Sequence, residues 1–257
     1  MKQSTKHFGH HLVQDIVYGP VTSRRFGTTL GINLLPATQK HCSFDCIYCQ
    51  LGWTPKETHK EKLTFPSPEQ VITELKNKLE DLESSKISIV LSGNGEPTLY
   101  PEFTEMVDKL LSARKTFDKN MPIICFTNGT TLKNDSIRKA LARIDECCVK
   151  ADPNFSEINL PCQAYDFLQQ KTYLRELPNL VLQACLLTGS KDNSTETIIA
   201  NWITTLKDLT PNRIDLYTLS RKTPHTGLEA VSLERLEEIK EHLRKDFSCP
   251  ITVSASV

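Results

Sequence analysis

The sequence predicts an α/β fold in which parallel strands form a partial (β/α)6 barrel of the TIM type. Short β-rich runs alternate with amphipathic helical patterns along the 257 residues, which is typical of βαβ units in a parallel sheet. About six such units can be counted, whereas a complete eightfold barrel usually takes about 250 residues. Six units with N- and C-terminal extensions therefore fit a partial barrel better, and the motifs that carry chemistry should follow the strands.

Apolar runs mark the strands, and helical spacing marks the segments between them. The predicted strands cover residues 29–35, 87–91, 123–126, 147–151, 180–187, 214–219 and 251–254. The predicted helices begin near Ser67 and after Pro101, and then cover residues 136–144, 196–209 and 232–245. Ser67 is the best defined start, because Pro68 suits the first helical position and Gln70 completes a capping box. Residues 154–179 are predicted as a loop with helical pieces.

The composition is that of an ordinary globular protein, with 39% hydrophobic and 24% charged residues. The 31 basic and 31 acidic side chains cancel, so the overall charge does not point to nucleic acid or to an anionic membrane. No apolar stretch approaches the roughly 18 residues that span a bilayer, and residues 1–14 lack the apolar core of a secretory signal. We therefore expect a cytoplasmic protein without a membrane partner. In that reducing compartment the nine cysteines should not form a disulfide framework.

Three cysteines follow the first predicted strand in C-x3-C-x2-C spacing: Cys42, Cys46 and Cys49. Thiolates are soft ligands that select zinc, Cu(I) or iron–sulfur clusters, and three on one short loop can converge on a metal centre. A cubane cluster commonly takes four cysteines, so three would leave one iron with an open coordination position. A structural zinc site usually combines two C-x2-C hooks, but the only other close pair, Cys147 and Cys148, lies in a predicted strand. The spacing thus favours an iron–sulfur cluster over zinc or inert core cysteines.

The cysteine loop and three further segments resemble the radical S-adenosylmethionine (SAM) enzymes. The loop matches their signature in having an aromatic residue, Tyr48, directly before its last cysteine. Residues 19–27 (GPVTSRRFG), 30–33 (LGIN) and 92–99 (SGNGEPTL) are similar to a subgroup described as iron–sulfur oxidoreductases similar to the archaeal tRNA wyosine-base synthase. The resemblance covers about residues 16–230, and it implies that residues 1–257 form a single radical SAM domain with N- and C-terminal extensions.

The resemblance implies one four-iron, four-sulfur cluster whose open iron chelates SAM through its amino and carboxylate groups. One electron from the reduced cluster would cleave SAM to methionine and a 5′-deoxyadenosyl radical. That radical would then abstract a hydrogen atom from the substrate. No flavin- or nicotinamide-binding segment is visible in the sequence. We therefore expect an electron donor such as a flavodoxin or ferredoxin as a partner.

The ends of the predicted strands supply candidate binding residues. Glu96 can accept hydrogen bonds from an ammonium group, and the resemblance assigns its segment to the SAM amino group, although Asn94 replaces the usual first glycine. A buried Gln183 needs hydrogen-bond partners, for which SAM is a candidate. The candidate cofactor-binding residues are Tyr48, Asn94, Gly95, Glu96, Pro97, Thr127, Asn128, Gln183 and Tyr217. A pair of arginines that can clamp an anion, together with charged residues at strand ends, are candidates for the substrate: Arg24, Arg25, Lys150, Asp152 and Arg221.

These motifs do not specify the substrate. Similarity to wyosine-base synthase suggests a tRNA base. Against it, the neutral chain lacks the positive charge that dominates nucleic-acid affinity, and no cysteine precedes Cys42 to hold a second cluster. A protein or small-molecule substrate stays open. Two other classes of function also stay open: an activase that generates a radical on a partner protein, and a non-catalytic metal- or RNA-binding module.

Overall fold

The computed structural model describes residues 12–23, 25–55, 63–82, 86–117, 121–162, 166–221 and 223–255. Within them the strands are β1 (Val17–Ser23), β2 (Gly27–Ile32), β3 (Phe44–Cys46), β4 (Ser88–Leu91), β5 (Ile123–Thr127), β6 (Glu146–Lys150), β7 (Asn159–Pro161), β8 (Leu180–Gly189), β9 (Arg213–Thr218), β10 (Leu228–Ala230) and β11 (Ile251–Ser254). The helices are α1 (Pro68–Glu80), α2 (Phe103–Arg114), α3 (Asp135–Leu141), α4 (Phe155–Ile158), α5 (Phe167–Leu174), α6 (Glu196–Leu206) and α7 (Leu233–Leu243), and a 3-10 turn covers Pro97–Leu99. None of these helices is long and apolar enough to cross a membrane.

One curled sheet organises the molecule. Its strand order is β1-β2-β4-β5-β6-β8-β9-β11, and β10 pairs antiparallel with β8. From β2 to β11 all neighbours in this order run parallel, whereas β1 runs antiparallel to β2. Helices follow β2, β4, β5, β6, β8 and β9 in the chain, which gives the β/α units of the prediction. The predicted partial barrel with parallel strands is confirmed, and the carboxyl ends of its strands lie at one rim.

Side chains alternate between the two faces of this sheet. On β4, Ile89 and Leu91 belong to the main apolar cluster, which also contains residues of α1 and α2. Val90, between them, belongs to a smaller cluster with Ile124 and Val181, whose members lie on strands or on the turn before β2. This period of two is what a pleated strand imposes. Helices therefore cover the convex face, and the concave face is left for the functional site.

Two parts of the chain differ from the sequence prediction. The strand β1, which forms a hairpin with β2, was not predicted, because Gly19 and Pro20 interrupt its apolar pattern. Residues 154–179, predicted as a loop with helical pieces, contain α4, α5 and also β7, which pairs antiparallel with β3 in the cysteine loop. A three-residue strand is too short to show a periodicity, so only the folded chain reveals this second, two-stranded sheet.

Candidate functional site

The cysteine loop lies at the rim, against the loop that follows β4. The His41 N–H donates to the Asn94 carbonyl at 2.8 Å, and the Glu96 N–H donates to the His41 carbonyl at 3.0 Å. Gly95, between them, has a φ of +147°, and a Cβ atom at this position would lie 1.9 Å from the His41 oxygen. Only glycine therefore allows the cysteine loop to pack directly on this segment.

The three thiols of Cys42, Cys46 and Cys49 are close enough to influence one another's ionisation. Burial raises the pKa of Cys42 to about 12 and raises the pKa of Cys46 well above its usual value. Among the described residues, no three His, Cys, Asp or Glu side chains converge as the ligands of a single metal ion do. A cubane cluster does not require that convergence, because each thiolate binds a different iron.

Asn128, directly after β5, holds the cysteine loop from the sheet side. Its Nδ2 donates to the Ser43 hydroxyl at 2.9 Å and points to the Cys42 sulfur at 3.7 Å. Its Oδ1 accepts from the N–H of Thr130 at 3.0 Å, which fixes the orientation of the amide. An N–H donor at a ligand sulfur stabilises the thiolate and influences the reduction potential of a cluster. The sequence analysis proposed Asn128 for SAM, and the structure places its amide at the thiol.

Lys40 is a buried cation beside the cysteine loop that the sequence analysis did not select. The residue is 3% exposed, and its Nζ donates to the Asp45 carboxylate at 3.0 Å and to the Gly52 carbonyl at 2.8 Å. Burial alone lowers the pKa of Lys40, but the neighbouring Cys49, Cys42 and Asp45 outweigh burial, and the pKa is raised. A cation here favours thiolates. The only signal in the sequence is its position two residues before the first cysteine.

Glu96 joins the ends of β4 and β5. Its Oε1 accepts from the Thr98 N–H at 3.1 Å, the Thr98 hydroxyl at 2.6 Å and the Thr127 hydroxyl at 2.7 Å, while Oε2 accepts from the Asn128 N–H at 2.6 Å. Burial raises the pKa of Glu96, and these donors act in the opposite direction. The SAM ammonium group that the sequence analysis assigns to Glu96 would thus bind a carboxylate that already joins β4 to β5. Of the two carboxylate oxygens, Oε2 has the fewer hydrogen-bond donors, one against three.

Asn94 has a role that the sequence analysis missed. Its side chain is fully buried; Oδ1 accepts from the Val13 N–H at 2.8 Å, and Nδ2 donates to the carbonyls of Val13 at 2.8 Å and Pro36 at 3.0 Å. The amide therefore ties the segment before β1 to the segment after β2. Its neighbour Pro97 is also buried and begins the 3-10 turn.

Tyr48 is fixed by two buried polar side chains. Its hydroxyl donates to the Asp152 carboxylate and lies 3.2 Å from the Asn159 Oδ1. Asp152 is 1% exposed and also accepts from the Asn159 amide at 2.8 Å and from the Cys185 N–H at 2.6 Å. Burial, reinforced by the charge of Asp152, raises the pKa of Tyr48 well above its usual value. Asp152, a candidate for the substrate, therefore anchors the cysteine loop through Tyr48.

The concave face carries Lys150, Gln183 and Tyr217 on β6, β8 and β9. The Lys150 Nζ lies 4.7 Å from the Tyr48 ring centre and 4.8 Å from the Tyr217 ring centre, and it donates to the Tyr217 hydroxyl. Gln183 pairs in register with Lys150 and is 4% exposed. Within the described part of the chain its Nε2 has no hydrogen-bond partner. A buried donor without an acceptor leaves a place for a ligand oxygen.

The remaining candidate residues are three arginines. Arg221 donates to the Gln50 side chain at 3.3 Å, next to the cysteine loop. Arg25 precedes β2, and its guanidinium lies over aromatic rings of the concave face. Arg24 lies outside the described residues. The structure thus places Arg25 among the rings of the concave face and brings Arg221 to the cysteine loop.

The residues that are present fit an iron–sulfur cluster with SAM. Three soft thiol ligands lie on one loop, an amide donor reaches one of their sulfurs, and a buried cation stands beside them. The unpartnered Gln183 amide offers a donor on the concave face below. Three cysteines leave one iron of a cubane open for a further ligand.

Comparison with known proteins identifies the family. Residues 37–179 match the family model described as the radical SAM superfamily. A Brachyspira hyodysenteriae protein named GTPase Obg is 30% identical over 247 residues, which cover 92% of this chain and 35% of that protein. A UPF0026 protein of Methanocaldococcus jannaschii is 30% identical over 235 residues, which cover 87% of this chain and 70% of that protein.

The fold comparison agrees. The crystal structure of Streptococcus suis SuiB bound to S-adenosylmethionine is similar with a TM-score of 0.60 and 14% identity, and the match covers 88% of this chain and 50% of SuiB. This chain therefore spans about a third of the length of the Brachyspira protein and half of SuiB. At this identity the likeness to SuiB shows the fold alone, whereas the family model covers more than half of the 257 residues. The chain belongs to the radical SAM superfamily and, within it, groups with the UPF0026 proteins.

Proposed function

We propose that this chain is a radical SAM enzyme in which Cys42, Cys46 and Cys49 hold one four-iron, four-sulfur cluster with SAM on the open iron. These three thiolates would hold the cluster, and the chemistry that it would supply is one electron for the cleavage of SAM to methionine and a 5′-deoxyadenosyl radical able to take a hydrogen atom from the substrate. One observation carries the proposal: the cysteine loop is fastened to the end of β4 at Gly95 and to the end of β5 through Asn128. Three strand ends therefore meet at the thiols.

The chain's own residues position both groups. Asn128 and Lys40 favour the thiolate form of the loop cysteines through a hydrogen-bond donor and a positive charge. Glu96 holds the segment after β4 against the end of β5, where the resemblance places the SAM amino group. Gln183 supplies a free amide donor for an oxygen of SAM. Tyr48, locked by Asp152, covers the cluster side of the concave face.

The test is anaerobic reconstitution with iron and sulfide, reduction with dithionite, addition of SAM and an assay for 5′-deoxyadenosine. The wild-type protein should form 5′-deoxyadenosine, and Cys46→Ala should bind less iron and form none. Cys249→Ala is the matched control, because Cys249 is a partly buried cysteine near β11, outside the loop. Its iron content and its product formation should equal those of the wild type.

Other outcomes identify the alternatives. Cleavage of SAM only after a partner protein is added would indicate an activase. Stoichiometric zinc without SAM binding would indicate a metal-binding module and overturn the proposal. A Cys46→Ala protein that still cleaves SAM would overturn the ligand assignment.

Under the same proposal, a small flavodoxin or ferredoxin replaces dithionite in the cell. Trp53, after the last loop cysteine, and Leu160, on the strand β7 that pairs with the cysteine loop, are 45% and 41% exposed, so apolar surface is available there.

A further inference from the structure

A cavity of about 310 Å³ opens where the curled sheet does not close on itself. It is lined by Tyr18 and Val21 of one edge strand, β1, and by Ser254 of the other edge strand, β11. Its volume is at the lower end of the range for small-molecule sites. Of the residues assigned above to the cluster or to SAM, Tyr217 alone lines this space.

The cavity is connected to the candidate cluster site through two side chains. Tyr217 lines the cavity, and its hydroxyl accepts the hydrogen bond from Lys150. Lys150 in turn lies 4.7 Å from the ring centre of Tyr48, in the cysteine loop. A ligand in the cavity would therefore lie beside the concave face on which the chemistry is proposed, not on a remote surface.

Four aromatic side chains contribute to the walls of the cavity: Tyr18, Phe26, Phe126 and Tyr217. The ring centres of Phe26 and Phe126 are 5.8 Å apart. The Tyr18 ring also lines the cavity, where it lies over Gly31 of the neighbouring strand β2. The Tyr18 ring reaches this position because Gly31 has no side chain: a Cβ there would lie 2.0 Å from the ring. The Tyr18 hydroxyl is held by Ser92 at 2.8 Å. Such walls suit a planar ring, because stacking on aromatic faces adds to simple burial.

Arg25 gives the cavity its charge. Of the described residues that line it, Arg25 alone is charged. The guanidinium carbon lies 5.7, 5.5 and 5.4 Å from the ring centres of Phe26, Phe126 and Tyr217, so the cation lies among three aromatic rings. Its NH1 is buried and has no hydrogen-bond partner among the described residues.

The nearest carboxylate does not satisfy this arginine. Asp215 lies 3.6 Å from the Arg25 NH1, beyond hydrogen-bond distance. It already accepts from the Arg213 Nε at 2.7 Å and from the Thr252 hydroxyl at 2.7 Å. A guanidinium N–H without a partner is a charge-assisted donor for a carboxylate or phosphate oxygen.

We propose that this cavity is the substrate pocket and that it takes a planar ring bearing a carboxylate or phosphate, with Arg25 binding the anionic group. The proposal rests on the proposed function, because it gives the substrate of that enzyme its place. It differs from a general affinity for nucleic acid, since it depends on one arginine in a cavity and not on a charged surface.

The experiment measures ligand binding by calorimetry on the cluster-loaded protein, without reductant. Guanosine 5′-monophosphate is compared with guanosine, and 4-hydroxybenzoate with 4-hydroxybenzamide, so the two pairs distinguish phosphate from carboxylate. At least one anionic probe should bind about tenfold or more tightly than its uncharged counterpart, which is the effect of a hydrogen bond to a charged group. Arg25→Gln should abolish that preference. Arg244→Gln, which changes an exposed arginine at the C-cap of α7, should keep that preference.

A second variant keeps the test decisive if Arg25→Gln does not fold. Ser254→Trp fills the cavity from β11 and leaves Arg25 in place, so it should prevent binding of both members of the preferred pair. Equal binding of charged and uncharged probes by the wild type, or an unchanged preference in Arg25→Gln, would overturn the proposal. The 5′-deoxyadenosine assay is read separately, so SAM cleavage without anion preference would refute the pocket and leave the proposed function standing.

Discussion

The cysteine loop depends on residues other than its cysteines. Gly95 lets the loop backbone come into contact with the segment after β4, and Asn128 reaches the Cys42 sulfur from the end of β5. The first acts by having no side chain and the second by donating a hydrogen bond. Each can therefore be tested by a substitution that leaves all three cysteines unchanged.

Gly95→Ala should destabilise the protein and impair cluster assembly. The new Cβ would lie 1.9 Å from the His41 oxygen at a φ of +147°, so both backbones must shift. We expect a loss of about 3 kcal/mol in the free energy of unfolding, measured in urea, and reduced iron per chain. Gly27→Ala is the control: its φ is +68°, but no atom lies within 4 Å of the new Cβ. If Gly95→Ala and Gly27→Ala show equally small losses of unfolding free energy and of iron, the close contact at Gly95 is unimportant.

Asn128→Asp should lower the reduction potential of the reconstituted cluster. The substitution keeps the Oδ1 acceptor for Thr130 but replaces the donor 3.7 Å from the Cys42 sulfur with a negative oxygen. We expect a decrease on the order of 50 mV in a redox titration followed by electron paramagnetic resonance. Asn134→Asp, at the N-cap of α3 where aspartate caps equally well, should leave the potential unchanged. An unaltered potential in a loaded Asn128→Asp protein would show that the amide does not act on the cluster.

At the scale of elements, some helices and strands are determined by local sequence signals and others by tertiary contacts. The helix α1 begins where its capping box predicts: the Ser67 hydroxyl accepts from the Gln70 N–H at 3.2 Å, and the Gln70 side chain accepts from the Ser67 N–H at 2.8 Å. Buried residues Val71, Leu75 and Leu79 then follow at helical spacing. Such an element carries its own start signal and its own packing face.

Ser67→Ala should lower the free energy of unfolding by about 1 kcal/mol, because it removes the hydroxyl that caps α1. SAM cleavage per loaded cluster should stay at the wild-type value, since Ser67 lies outside the site. Ser112→Ala, inside α2, is the control and should change stability by less than about 0.5 kcal/mol. Equal stability of the two variants in urea unfolding would show that the capping box contributes nothing.

The elements that sequence analysis predicts best are those with long apolar runs. The strand predicted at 180–187 is observed as β8, Leu180–Gly189, and the helix predicted at 196–209 as α6, Glu196–Leu206. The strands β3 and β7 were missed, because each has only three residues and forms solely by pairing with the other. Short elements of this kind have no local pattern, and the folded chain alone brings them together.

In the candidate site, too, some features follow from local sequence signals and others from tertiary contacts. Cysteine spacing is a local property and points to the loop directly. The anchoring roles of Asn94 and Asp152 depend on partners far along the chain: Val13 lies 81 residues from Asn94, and Cys185 lies 33 residues from Asp152. A polar residue at the end of a predicted strand indicates that a hydrogen bond is needed, but it does not identify the partner. The sequence therefore suggested ligand contacts where the structure shows internal ones.

At the scale of the whole molecule, one partly buried polar network joins strands across the curled sheet. Arg213 on β9 binds Glu146 on β6 with two hydrogen bonds of 2.9 and 2.6 Å, although β8 lies between these strands in the sheet. Arg213 also binds Asp215, which accepts from Thr252 on the edge strand β11. Arg25, from the turn between β1 and β2 at the other edge, comes within 3.6 Å of the same carboxylate. Both edges of the open barrel thus converge on Asp215.

Asp215→Ala should therefore destabilise the molecule as a whole. Asp215 is 1% exposed, and its removal leaves Arg213 with Glu146 as its remaining carboxylate partner, takes away the carboxylate 3.6 Å from Arg25, and deprives Thr252 of its acceptor. Both arginine side chains keep some exposure, 21% and 23%, so we expect about 3 kcal/mol, the lower end of the range for breaking a buried pair. Asp108→Ala breaks an ion pair with Arg143 in which both side chains are about half exposed, and it should cost less than about 1 kcal/mol. Urea unfolding measures both. An Asp215→Ala protein as stable as Asp108→Ala would mean that strand pleating and helix packing alone curve the sheet. The expected difference would instead show that one carboxylate, shared by both edges of the open barrel, helps to hold those edges together.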